Sequence, residues 1–263
     1  MSITIIIILI LSGVIVGFIN TLSAGGTTIT IALYLALGLP VQTTNSINRV
    51  GVIIQNLFAT SFFAKKRMIN FKRIIPYAIP TMLGAFLGSL LAIKINETVF
   101  SYCMGGVMIM MIFFLTIKRK QKQIAKQQIS TIKRIIFMFV FFLAGFYGGF
   151  VQVGTGFLLI TAISTILGYD LVETNANKVL IMFLYTFVAL CVFVFRGGIE
   201  MKYWIYGIIH AFGNIIGAYI AARYAIKKGE KLVKIVILIV IVLTSLNLFG
   251  VIDLKILFNN LVK

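Results

Sequence analysis

Arg49 and Lys178 are cations set in hydrophobic sequence: the stretches 50–64 and 179–195 that follow them contain no charged residue. Each stands behind an asparagine, Asn48 and Asn177. A cation within an apolar segment is costly in hydrocarbon and marks a functional position, unless it lies near a helix end and snorkels to the interface. Helical spacing puts Asn56 on the face of Arg49, and Tyr185 on the face of Lys178. No acidic residue lies near Arg49 in the sequence, so an anionic substrate could supply its counter-charge.

Two glycine-rich interruptions carry the other candidate chemistry. The first runs Asn20-Thr21-Leu22-Ser23-Ala24-Gly25-Gly26-Thr27-Thr28, the second Gly148-Gly149-Phe150-Val151-Gln152-Val153-Gly154-Thr155-Gly156. A helix that restarts after such a break presents unsatisfied N–H groups at the positive end of its dipole, which is where anions bind. Gly25, Gly26 and Thr27 would offer those groups in the first break, and Gly154, Thr155 and Gly156 in the second. Asn20 and Gln152 would orient the ligand, together with Asn48 and Asn177. The bland alternative is that these glycines only let helices pack closely. A paired occurrence, with amide and hydroxyl side chains alongside, favours the functional reading.

The elements that position these residues follow from composition. Of 263 residues, 60% are hydrophobic and 11% charged, and mean hydropathy is +1.08; soluble domains average about 45–50% apolar and about 25% charged. The net charge of +18, from 24 Lys and Arg against 6 Asp and Glu, would suggest nucleic acid in a soluble chain. Here the cations fall in short clusters between the charge-free stretches 1–48, 74–93, 98–117, 135–169, 179–195, 203–222 and 235–252. That pattern excludes nucleic acid and predicts an all-α polytopic membrane protein whose partner is the lipid bilayer. Spans are predicted at about 46–64, 74–94, 98–117, 174–195, 203–222 and 232–250. Residues 3–38 and 135–168 would each run about 50 Å as a single helix. Each is therefore read as a broken or re-entrant segment, its break facing protein or a wet cavity.

The two broken regions match each other. Gly17-Phe18 aligns with Gly145-Phe146, Asn48-Arg49-Val50 with Asn177-Lys178-Val179, and Gly84 and Gly88 with Gly213 and Gly217, at offsets near 129. This predicts an internally duplicated helix bundle of about eight membrane segments. Its first membrane repeat would cover 1–118, a basic cytoplasmic linker 119–134, the second repeat 135–250 and a C-terminal tail 251–263. An inverted repeat puts the cluster Arg223–Lys234 inside with the other basic loops, as the positive-inside rule requires, and is favoured over a parallel one.

The remaining motifs read as structural. Gly84-x-x-x-Gly88 and Gly213-x-x-x-Gly217 are helix-packing motifs. Cys103 and Cys191 lie singly in hydrophobic runs, and the lone His210 builds no metal site by itself. His210 reads as a core histidine, with proton relay the alternative. Asp170 and Glu173 flank a helix end or pair with Lys178. No catalytic residue, metal or cofactor is expected, and no GxxxxGK[ST] nucleotide motif is present.

The segments GFINTLSAGGTTIT…GLPVQTTNSINRVGVIIQN and GFYGGFVQVGTGF…NANKVLIMFLYTFVALCVF resemble the two halves of TauE/SafE-type permeases, the sulfite exporter-like family. The resemblance covers nearly the whole chain. Ser23-Ala24-Gly25-Gly26 departs from the denser glycine run of many members. The resemblance implies about eight spans, a duplicated four-span unit, and transport of sulfite, organosulfonates or related anions across the bacterial cytoplasmic membrane. Its matching positions are the two breaks, Asn48-Arg49 and Asn177-Lys178. The expected function is that of a permease for a small anionic substrate, with proton or sodium coupling and homo-oligomerisation left open. A channel-like or non-transporting partner subunit is the alternative, and a membrane enzyme ranks below it.

Overall fold

The computed structural model describes residues 1–22, 24–116, 131–197, 199–223 and 230–262. Among these the chain is helical throughout: α1 Ile3–Leu22, α2 Gly26–Ala36, α3 Val41–Lys65, α4 Phe71–Lys94, α5 Glu97–Thr116, α6 Thr131–Phe150, α7 Thr155–Leu167, α8 Leu171–Phe195, α9 Trp204–Arg223, α10 Glu230–Leu248 and α11 Leu254–Val262. A single 3₁₀ turn, Met201–Tyr203, leads into α9. The expected linker lies outside the described residues up to 130, and its last four residues open α6. Within the expected C-terminal tail the chain forms α11. The Asp253 side chain accepts from the Lys255 and Ile256 amides and so starts this helix, which packs against α2.

Both predicted interruptions are real breaks. Gly25 and Gly154 take left-handed conformations (φ 100° and 79°) immediately before α2 and α7, a region open to glycine at little cost. After each break the chain folds back on itself. Gly26 lies against the Val16 carbonyl and the Asn20 side chain, whereas Tyr34 near the end of α2 meets His210, level with Gly13 of α1. At the end of α7 the Leu167 carbonyl accepts from Arg73 at the start of α4. The predicted re-entrant segments are helical hairpins.

Helix directions follow from glycine contacts. Gly13 and Gly17 press on His210 and Asn214 of α9, while Gly213 and Gly217 press back on Ile10 and Val14, so α1 and α9 run parallel. Gly145 and Gly149 press on Thr81 and Ala85 of α4, and Gly84 and Gly88 on Phe142 and Phe146, so α4 and α6 run parallel. Close approach of this kind requires residues without side chains. Gly13 and Gly17 thus serve against α9 as Gly145 and Gly149 serve against α4. The sequence match of Gly17 with Gly145 is one helical turn out of register at this crossing.

The other directions close the picture. Ile47 meets Gly207 and Gly51 meets His210 and Asn214, so α3 runs with α9. Gln42 at the start of α3 donates to the Ala92 and Ile95 carbonyls at the end of α4, so α3 and α4 are antiparallel. Consequently α1, α3 and α9 point one way, and α4 and α6 the other.

Five described helices are long and apolar enough to cross a membrane: Ile3–Thr21, Phe71–Lys94, Thr131–Phe150, Val172–Phe195 and Met201–Arg223. The α3 helix, expected to be a span, is too polar for that set. It buries Thr43, Thr44, Asn45, Ser46, Asn48, Arg49, Gln55 and Asn56. These are tolerated because α3 is surrounded by α1, α2, α5, α8 and α9, so its polar face meets protein rather than lipid.

Candidate functional site

The hairpin tips meet. Ala24 of the first break packs on Gly156, where an added Cβ would lie 2.9 Å from the Ala24 Cβ. Between the tips is a cavity of about 10 Å³ lined by Asn20, Ala24, Gly25, Thr27, Gln152, Gly154, Gly156 and Met182. That volume is at the lower limit for one water. Six of the residues predicted from the breaks therefore share one lining. Ala24 and Met182 join them without having been singled out, because neither carries a polar signal.

The amides at the cavity are held from α3 and α8. Gln152 accepts from Asn48 Nδ2 at 3.2 Å and donates from Nε2 to Thr186 Oγ1 at 3.2 Å. Asn45 grips the same break from both sides. Its Nδ2 donates to the Phe150 carbonyl at 3.0 Å, and its Oδ1 accepts from the Gln152 amide at 3.3 Å. Asn20, 5% exposed, leaves its Nδ2 without a partner among the described residues. Tyr185 is fully buried beside Thr155, Thr186 and Gln152, and Thr155 Oγ1 donates to the Gln152 carbonyl at 3.0 Å. Asn45 and Thr186 were missed; Asn45 was legible as one turn before Asn48 and Arg49 on the polar face of α3.

Arg49 and Lys178 are both fully buried, and neither lines the cavity. Arg49 donates from Nη1 to the Gly148 carbonyl at 3.0 Å and from Nη2 to the Gly149 carbonyl at 2.7 Å, with its guanidinium 4.9 Å from the Phe193 ring centroid. Lys178 Nζ donates to the Asn20 carbonyl at 2.8 Å. Each cation thus crosses to the other half of the chain and caps the C-terminal end of its broken helix, α6 for Arg49 and α1 for Lys178. Cations are favoured at those negative dipole ends, whose last carbonyls have no intrahelical donor.

Asn56 and Asn177 also stand apart from the cavity. Asn56 Nδ2 donates to Val52 and Asn177 Nδ2 to Glu173, both along their own helices. Gly26 abuts Asn20 just behind the lining. Asp170 proves to be the N-cap of α8, accepting from the Glu173 amide at 2.8 Å.

The N-termini of α2 and α7 have no side-chain cap, although both are buried. Their positive ends, about half a unit each, stand at the cavity. The negative ends of α1 and α6 at the same place are outweighed by Lys178 and Arg49. The uncapped helix N-termini and the two buried cations therefore make the field at the cavity positive, with amide donors within it.

The chain is similar in sequence to membrane transporter proteins over most of its length. The sequence profile described as sulfite exporter TauE/SafE matches residues 9–248, which leaves α11 outside. A "Probable membrane transporter protein ORF9" of Sinorhizobium sp is 28% identical over 243 residues, 92% of this chain and 91% of that one. A "Probable membrane transporter protein" of Haemophilus influenzae is 28% identical over 233 residues, covering 88% and 89% of the two chains. "Probable membrane transporter protein YfcA" of Escherichia coli strain K12 is 22% identical over 233 residues, covering 88% and 85%. No solved structure matches the chain.

Proposed function

The chain belongs to the sulfite exporter TauE/SafE family of membrane transporters, and from that premise we propose that it is a secondary permease for a small sulfur oxyanion, sulfite or an organosulfonate. It works in the bacterial cytoplasmic membrane by alternating access between two inverted repeats. The observation that carries this reading is the pairing at the cavity: two uncapped helix N-termini converge there, while buried cations cancel the two helix C-termini beside them. An oxyanion is the ligand such a field attracts.

The opposed directions of α1 and α6, with the matched α1–α9 and α4–α6 crossings, support an inverted duplication of eight segments, two of them hairpins. The sidedness follows from charge. Lys65, Lys66 and Arg67 lie at the end of α3 and Lys72 and Arg73 at the adjoining start of α4, and Arg223 lies at the parallel end of α9. The positive-inside rule puts that end in the cytoplasm. Because the cavity is too small for an oxyanion while the tips touch, loading requires the tips to part, and the glycine-lined crossings are surfaces on which the halves rock. Arg49 and Lys178 act here by setting the field and holding the breaks, with Gln152, Asn20 and Thr27 nearest the ligand.

Purified protein in vesicles preloaded with sulfite or an alkanesulfonate should exchange it for labelled external anion, saturably. Arg49→Ala and Lys178→Ala should each abolish that exchange. Full exchange by both variants would remove the anion-site assignment, and non-saturating flux would favour a pore.

A further inference from the structure

We propose that His210 is a proton-binding site loaded together with the anion, so that the protein moves the two in the same direction; this rests on the anion-transport reading above. His210 is the sole histidine of the chain and is 1% exposed. Its Nδ1 lies 3.1 Å from Asn214 Nδ2, and its Nε2 has no hydrogen-bond partner among the described residues. Space has been cleared for the pair. A side chain at Gly51 would strike Asn214 Nδ2 and approach His210 Nδ1 to 3.4 Å, and Gly13 admits the His210 backbone.

Packing does not require an imidazole here. At the sister crossing of α4 and α6, the positions that touch Gly145 and Gly149 are Thr81 and Ala85. The Thr81 hydroxyl is satisfied on its own helix, donating to the Tyr77 carbonyl at 2.7 Å. One half of the bundle thus builds this crossing from small self-satisfied residues, and the other installs a titratable imidazole with an open ring nitrogen beside an amide.

The groups facing His210 are Gly13 of α1, Tyr34 of α2 with its ring edge-on at 5.6 Å, Gly51 of α3, and Asn214 on its own helix. Tyr34 Oη donates to the Tyr206 carbonyl one turn away at 3.4 Å. None of these is a carboxylate. The charged side chains beyond them, Arg49 and Lys178, are held on the carbonyls of α6 and α1. With no carboxylate facing it among the described residues to stabilise an imidazolium, the proton is retained when negative charge arrives at the cavity. Its binding adds an N–H at Nδ1, which the Asn214 carbonyl oxygen, also without a partner among the described residues, accepts once that amide turns over.

Asn20 at the cavity is seven residues along α1 from Gly13, about 10 Å at 1.5 Å per residue. Opposite charges at that separation, in an effective dielectric of about 20, alter affinity by about tenfold. Linkage makes the effect mutual: the anion raises proton affinity as much as the proton raises anion affinity.

Because the chain has one histidine, protein labelled with nitrogen-15 histidine gives a single imidazole titration in lipid nanodiscs. The probes are methanesulfonate, whose charge is constant through the titration, and sulfite, with binding scored separately by thermal stabilisation. The expected result is an imidazole midpoint about one pH unit higher with bound anion. Likewise His210→Gln should bind methanesulfonate as the unsubstituted protein does at alkaline pH, but lose the tenfold gain on acidification. Anion binding with an unmoved midpoint overturns the proton site and leaves the transporter reading intact. Absence of binding by both anions overturns that reading and the proton site with it.

Discussion

Lys178 Nζ, on α8, donates to the carbonyl oxygen of Asn20, a residue that also lines the cavity between the hairpin tips. One residue therefore joins the charge of the second half to the cavity lining of the first. Arg49 makes the reciprocal connection, from α3 to the Gly148 and Gly149 carbonyls just before Gln152. The cations are built in as caps of broken helices, and their charge reaches the cavity through the field rather than by contact.

Arg49→Met should leave the Gly148 and Gly149 carbonyls without their donors in a dry interior, at about 1–3 kcal/mol for each. Thermal unfolding in detergent should show a clear drop in midpoint. Arg49→Lys keeps the charge but loses the two-pronged geometry, and should recover part of the stability and part of the exchange.

Gln152→Glu should set a negative charge at the cavity while nearly preserving shape. A carboxylate about 4 Å from an anion costs about 4 kcal/mol at an effective dielectric of 20, so anion binding should weaken by about a thousandfold. Binding within tenfold of the unsubstituted protein would place the ligand elsewhere.

Cysteines at Ala24 and Gly156, in a background lacking Cys103 and Cys191, should crosslink on oxidation, since the two positions touch. Exchange in vesicles should stop when the bond forms and return on reduction. Unchanged exchange in the crosslinked protein would show that the tips need not part.

Gly84→Val and Gly213→Val should each prevent correct assembly, because even a Cβ there would overlap the Phe142 or Ile10 carbonyl. Overpacking costs typically 1–3 kcal/mol, and clashes with backbone cost more. Gly106→Ala, where nothing lies within 4 Å, is the matched control and should be neutral. Yield and monodispersity on size exclusion read the difference.

Single cysteines at Arg67 and at Glu200 should react with impermeant maleimide from opposite sides of the membrane, Arg67 from the cytoplasm. The two sites terminate α3 and precede α9, helices that run in the same direction. Labelling of both from one side would contradict the hairpin topology.

Much of this was legible along the chain. Charge-free length declares the membrane class, because hydrocarbon tolerates neither charge nor open backbone. Paired glycine breaks and paired Asn-cation dipeptides mark the site region, because such residues are too costly to keep in an apolar segment without use. Small-xxx-small spacing marks the helix crossings. What these signals lack is the identity of the partner. Periodicity tells which face of a helix turns inward, but not what it meets there.

Only the tertiary structure decided that Arg49 serves carbonyls 99 and 100 residues away, and Lys178 one 158 residues away. It also decided that Asn177 and Asn56 bond along their own helices although they share the pattern of Asn48 and Tyr185. The same holds for the polar α3, whose hydropathy falls short of a lipid-facing span and which survives because other helices enclose it. Apolar sequence commits a chain to the bilayer segment by segment. Which helix end each buried charge must neutralise is settled when the two halves interlock.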